Sequence, residues 1–183
     1  MRKSGWKTRS RCVVYDQPPW LVVEHHEVEL PDGRVIPDWT WIRTPDYVNV
    51  VVETEANQFL CFRQRKYAIA APMLALVGGY IELGEAPLDA AKRELREETG
   101  YISDHWVELG DYLVDPNRGV ATGHLFLARS ARQVYKITSD DLEEQAMVLM
   151  SRYDLESALW RGEFKILAWA AAVAFSLRHL EKM

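Results

Sequence analysis

The stretch from Met73 to Gly100 constrains the fold more than any other part of the chain. "MLALVGGY" is a short apolar run ending in paired glycines, which reads as a buried strand entering a tight loop. A helical pattern occupies Pro87–Glu98. Pro87 suits the first helical position and Asp89 the first turn. Leu88, Ala91 and Leu95 fall at i, i+3 and i+7 as a buried stripe, and Gly100 is a natural stop. The tail of this helix, "RELREETG", works against helix stability. Glu97 and Glu98 stand at the negative end of the helix dipole, where each acidic group costs about 0.3–1 kcal/mol. Glu94 adds like-charge repulsion from one turn upstream.

With about 100° between successive helical residues, Glu94, Glu97 and Glu98 fall within one arc beside the apolar stripe. They therefore belong at the rim of the core, where a cleft opens, rather than on the solvated back. Arg93 precedes Glu97 by one turn, the weaker order for helix stability, so its role reads as orientation of Glu97. Clustered hard oxygen donors suit Mg²⁺ or Mn²⁺, and such a cation would cancel both the crowding and the dipole penalty. Taken alone, the same text also describes an exposed, salt-bridged helix face.

The chain has 183 residues, enough for one full core with a small extension. A net charge of −5 and a pI near 5.6 argue against non-specific nucleic-acid or membrane-surface binding. The basic opening (Arg2, Lys3, Lys7, Arg9, Arg11) reads as a frayed, solvated terminus. Cys12 and Cys61 have no neighbours at metal-ligand spacing and are too few for a disulfide scaffold, so a reducing, cytoplasmic setting is expected. The apolar stretch at 166–175 is far too short to span a membrane.

Along the chain, "VEHHEVELPDGRVI" reads as a hairpin turning at Asp32-Gly33. Pro37 and Pro45 punctuate the residues after it, and a boundary falls at residue 46: an N-terminal β extension over 1–46, then a main domain over 47–183. The strands expected there are "YVNVVVET", "FLCFRQ", "WVELGDYLV", "ATGHLFLAR" and "AMVLM". Two helices close the chain, Tyr153–Trp160 and Phe164–Leu180, with Gly162 between them. Strands with interspersed helices indicate a mixed α/β layer fold.

From Gly79 the text "GYIELGEAPLDAAKRELREETGY" resembles the signature of the Nudix hydrolase family. Gly79, Glu85, Arg93, Glu94, Glu97, Glu98 and Gly100 fill its fixed positions, with Leu95 and Tyr101 in its hydrophobic slots. Seven fixed types at ordinary usage would match by chance in about one chain per million of this length. The resemblance implies an α/β/α sandwich with a mixed β-sheet and a loop–helix–loop metal site. It also implies cleavage of a nucleoside diphosphate linked to another group, with Mg²⁺ or Mn²⁺. By position Glu94, Glu97 and Glu98 become metal ligands, Arg93 and Glu85 their supports, and the carbonyl of Gly78 or Gly79 a further ligand. The flanks "CFRQRKYAIAAPMLALVGGY" and "VELPDGRVI" are similar to the ADP-ribose pyrophosphatase group, which implies a nucleotide-sugar substrate and a homodimer formed through the N-terminal strands. In "SDDLEEQ", Glu143 or Glu144 stands where the group has a catalytic glutamate, with Glu144 preferred. GDP-mannose or a nucleoside triphosphate is the alternative substrate, and a non-catalytic nucleotide-binding module the alternative role.

Several residues outside the signature have two readings. Arg63, Arg65 and Lys66 lie at the end of a strand and either grip phosphate oxygens, with Arg65 preferred, or form a solvated strand end. Trp39 and Trp41 alternate with Thr40 on one strand face and either stack a base or bury an interface. His25 and His26 face opposite ways on a strand and read as structural. His124 lies inside a strand as a candidate substrate contact.

Overall fold

In the computed structural model, which describes residues 5–136 and 145–182, the chain divides into two compact units. The first contains the residues up to Asp46 together with Tyr112–Thr122. It holds an antiparallel sheet of β1 (Lys7–Gln17), β2 (Leu21–Glu29) and β3 (Val35–Arg43), in that order. The Asp-Gly turn forms between β2 and β3, with Gly33 at a φ of +88° and its N–H donating to Leu30 O at 3.0 Å. The expectation of a frayed terminus is overturned for Lys7–Gln17, which pairs with β2 along its length. Every residue of β1 is exposed, so the backbone ladder holds it and no apolar alternation marks it in the sequence.

Within this unit the 112–122 segment is tied to β3. Ile42 N–H donates to Arg118 O at 2.7 Å, and the Trp39 indole donates to Asn117 O at 2.8 Å. Gly119, at a φ of +70°, lets the Trp41 ring lie directly on the backbone: a Cβ there would sit 2.1 Å from the ring.

The second unit is Tyr47–Asp111 with Gly123–Met183. Its mixed sheet contains β4 (Tyr47–Thr54), β5 (Phe59–Gln64), β6 (Met73–Ala75), β7 (Tyr101–Ile102) and β10 (Gln145–Met150), with β8 (His105–Asp115) and β9 (Val120–Gln133) sharing their residues between the two units. The order β10-β5-β4-β9-β7 places β4 and β9 side by side and parallel, and β4 antiparallel to β5. Beyond β6 the chain runs on against β4 through the bridges Val50–Val77 and Tyr47–Tyr80, which set Asn49 opposite Gly78 and Val48 opposite Gly79.

Among the described residues three helices complete the unit: α1 (Pro87–Thr99), α2 (Arg152–Trp160) and α3 (Leu167–Leu180). α1 starts at Pro87 and ends on Gly100, whose left-handed φ of 70° lets its N–H reach Arg96 O. Both α1 and α3 pack on β4. Asn49 of β4 turns to Trp169 of α3, while Gly79, opposite the neighbouring Val48, turns to Glu94 of α1. Because successive strand residues face opposite ways, the two helices cover opposite faces. The core between them is formed by Val48, Val50, Val52, Leu60, Leu95 and Leu127, all fully buried. The fold is thus the mixed α/β layered architecture expected from the sequence. Among the described residues no helix is long and apolar enough to cross a membrane.

Candidate active site

The site forms where the Gly78–Glu85 loop meets the last turns of α1. Ala91 and Leu95 are buried under the helix, which leaves Glu94 and Glu98 half-buried at the core rim and Glu97 exposed. Arg93 organises the cluster. Its Nε and Nη2 grip both oxygens of Glu85 at 2.9 Å each, and Nη2 also donates to Tyr80 O at 3.0 Å. Nη1 donates to Glu94 Oε1 at 2.7 Å and to Glu97 Oε2 at 3.3 Å. The bidentate fork thus spends its strongest contacts on Glu85 and Glu94 rather than on Glu97, the partner that helix spacing alone points to. Glu85 is locked from its other side by Glu82 N–H at 3.0 Å.

The paired glycines have separate tasks. A Cβ on Gly79 would lie 2.2 Å from Glu94 Oε1, so only glycine lets that carboxylate rest on the loop. Gly78 N–H donates to Glu98 Oε2 at 3.1 Å. Electrostatically the two best-held carboxylates diverge. The Arg93 hydrogen bonds keep Glu85 below the usual carboxylate range. Burial pushes Glu94 up, and the charges of Glu97 and Glu85 push the same way, against the pull of Arg93. The same carboxylates raise Arg93, so it stays cationic.

Residues 43–170 match the NUDIX domain. The chain belongs to the Nudix family. Residues 6–42 match the nucleoside diphosphate sugar hydrolase N-terminal domain, so the β1–β3 sheet has its own family counterpart. An ADP-ribose pyrophosphatase of Bacillus subtilis (strain 168) is 26% identical over 85% of this chain and 82% of its own length. A methanol dehydrogenase activator of Bacillus methanolicus is 29% identical over 73% of this chain and 70% of its own. Among solved structures, that of an ADP compounds hydrolase superposes with a TM-score of 0.80 at 17% identity, covering 98% of this chain and 96% of that one. Its fold is the fold seen here.

Nudix hydrolases use divalent cations. Among the described residues no three His, Cys, Asp or Glu side chains converge as a ready-formed cation cage, and Arg93 spans Glu94 and Glu97. The donor set fits a hard cation all the same: Glu94 and Glu98 stand at the core rim with the exposed Glu97 on the same helix end, and Glu94 is seated in a cradle that any Cβ would fill. Gly79 O accepts from Val48 N–H at 2.9 Å and keeps a second lone pair, so the carbonyls of Gly78 and Gly79 both stay candidates.

The flanking candidates separate. Arg63 and Arg65 line one cleft of about 420 Å³ with Gln64, Pro72, Gln145 and Ala146. Arg63 is drawn to Glu163 at 3.6 Å, whereas Arg65 among the described residues reaches Ala70 O at 3.4 Å. Trp39 and Trp41 do share a face, lining a cleft of about 300 Å³ in the first unit with Trp6 and His26. Trp41 stacks on His26 with centroids 5.4 Å apart. His25 is exposed and His26 buried, so they face opposite ways as their adjacency requires. His124 Nδ1 pairs with Asp111 Oδ1 at 2.7 Å. Glu143 and Glu144 lie outside the described residues. Sequence reasoning missed the Tyr80 carbonyl and the Glu82 N–H, because backbone groups carry no residue-type signal.

Proposed function

We propose that this Nudix hydrolase is a Mg²⁺-dependent pyrophosphohydrolase of a nucleoside diphosphate sugar, with ADP-ribose the first substrate to test. The observation that carries it is the Arg93 clamp, which holds Glu85 and Glu94 while Gly78 N–H holds Glu98. The names of the relatives support the substrate class: an ADP-ribose pyrophosphatase, and a nucleoside diphosphate sugar hydrolase domain over residues 6–42.

Glu94, Glu97, Glu98 and the Gly78 or Gly79 carbonyl would hold Mg²⁺, which when bound neutralises diphosphate charge and acidifies a water. The chain's own residues do the rest. Glu85 and Arg93 keep the Glu94 carboxylate on the Gly79 backbone, and the Gly78 N–H fixes one oxygen of Glu98. Arg65, exposed beside its cleft, supplies a fork for phosphate oxygens. Glu144 is the proposed base that removes the proton from the attacking water. Water oxygen bonds to one phosphorus, the bridging P–O bond breaks, and AMP and a sugar phosphate leave. The enzyme is proposed to act in the cytoplasm as a homodimer through the β1–β3 sheet, where β1 is an exposed edge strand bearing Val13, Val14 and Tyr15.

A panel of nucleotide sugars and nucleoside triphosphates with Mg²⁺ tests the reading. Turnover of ADP-ribose above the rest is expected, and turnover of triphosphates alone would remove the sugar assignment. Glu98→Gln should lower kcat by about a thousandfold with the fold intact.

A further inference from the structure

Asn49 is an odd residue for its place. It sits in the middle of β4, in a run of valines, and is only 4% exposed. Its Oδ1 accepts the indole N–H of Trp169 at 2.8 Å, across 120 residues of sequence. Indole can only donate, so the amide orientation is fixed: oxygen towards Trp169, nitrogen away. Among the described residues that nitrogen is buried without any hydrogen-bond partner. An unsatisfied buried amide costs about 1–3 kcal/mol, while replacing both partners of such a bond by apolar groups of like shape is close to neutral or stabilising. Core stability therefore gives no reason for the pair.

Position gives one. Asn49 stands opposite Gly78. A Cβ on Gly78 would lie 2.2 Å from Val48 O and 3.0 Å from Asn49 Oδ1, so the glycine backbone rests against the carboxamide that Trp169 pins. On its other side the same glycine donates its N–H to Glu98 Oε2 at 3.1 Å. A continuous run of contacts leads from α3 through β4 and the loop to the carboxylate on α1.

We propose that Asn49, locked by Trp169, is a positioning residue for Glu98 and acts through the Gly78 peptide. This rests on the assignment of Glu98 to the reacting site. The bond from Trp169 holds a rigid polar plate under Gly78, and that plate sets the direction of the Gly78 N–H. A leucine at position 49 would fill the volume without the bond that ties position 49 to Trp169, and the loop would gain slack where Glu98 is aimed. Misplacement of a reacting group by about 1 Å is enough for a hundredfold loss of rate.

The test is the double variant Asn49→Leu/Trp169→Phe, which removes both hydrogen-bonding groups together. The expected result is a melting temperature no lower than that of the parent protein. With ADP-ribose and Mg²⁺, kcat should fall by about ten- to a hundredfold while KM stays within about threefold. A folded double variant with parental kcat overturns the proposal. Should that variant not fold, Trp169→Phe alone serves, and the ¹⁵N-resolved Gly78 amide resonance is read in it. The resonance should move upfield as the bond to Glu98 lengthens, and an unmoved resonance overturns the proposal. This readout needs no turnover, so it stands apart from the site assignment. If Glu98→Gln keeps full activity, the assignment has failed, whatever the Gly78 amide does.

Discussion

Glu24 and Glu94 are both mostly buried carboxylates facing an arginine, and they behave in opposite ways. In the first unit, Glu24 has a side chain 8% exposed and both oxygens engaged, Oε2 with His26 Nε2 at 2.7 Å and Oε1 with Arg43 Nε at 2.9 Å. The His26 hydrogen bond, helped by Arg43, holds it below the usual carboxylate range despite its burial. In the second unit, Glu94 is 13% exposed, and only its Oε1 meets a donor among the described residues, an Arg93 nitrogen shared with Glu97. Burial wins there, and the carboxyl is pushed up. Donor number and desolvation together set the two directions: each Glu24 oxygen has its own partner, whereas Glu94 combines the stronger desolvation with a single shared donor.

The sharpest way to break this comparison is Arg93→Ala. It strips Glu85 and Glu94 of their shared cation, so kcat should fall by about a hundredfold and stability by about 3 kcal/mol, read by turnover and by thermal or denaturant melts. Parental turnover in that variant would show that the clamp is not part of the site. Gly79→Ala comes next. It pushes the Glu94 carboxylate off its seat, and kcat should drop by about tenfold with little change in melting temperature, since the clashing atoms end a flexible side chain.

Glu24→Gln probes the other side. It should cost about 1–3 kcal/mol at neutral pH and leave kcat unaltered. Glu24 has a folded-state value below its ordinary 4.5, so the unfolded chain binds the proton first as pH falls. Its stabilisation is therefore full above pH 4.5 and is lost as pH drops through the depressed value. The stability gap between parent and Glu24→Gln should close over that window, and a gap constant down to about pH 3 would contradict the assignment. The smallest effects belong to the cleft arginines. Arg65→Ala should raise KM by about tenfold, and Arg63→Ala by less, because its exposed pairing with Glu163 accounts for under about 1 kcal/mol and already occupies it.

Much of the site is legible in the chain itself. Pro87, Gly100 and the spacing of Leu88, Ala91 and Leu95 delimit α1, and the carboxylates at its end break local helix rules. The Asp32-Gly33 turn is equally plain. β1 is not, because all its side chains are exposed and only backbone pairing with β2 makes it a strand. Nor is the membership of Tyr112–Thr122 in the first unit, which depends on Trp41 resting on Gly119 and on backbone bonds to β3.

The amino-acid order alone determined where α1 starts and stops, which face of it is buried, and that three glutamates crowd its last turns, since caps and periodicity act within a few residues. Tertiary structure decided what those glutamates touch. Arg93 prefers Glu85, eight residues away across a loop, to Glu97 on its own helix. Glu98 meets Gly78, and Asn49 meets Trp169, only after the sheet has brought them together. Hydrogen bonds are short-ranged and directional, so contacts between distant segments are set by the packing of whole elements and leave no periodic trace in the chain.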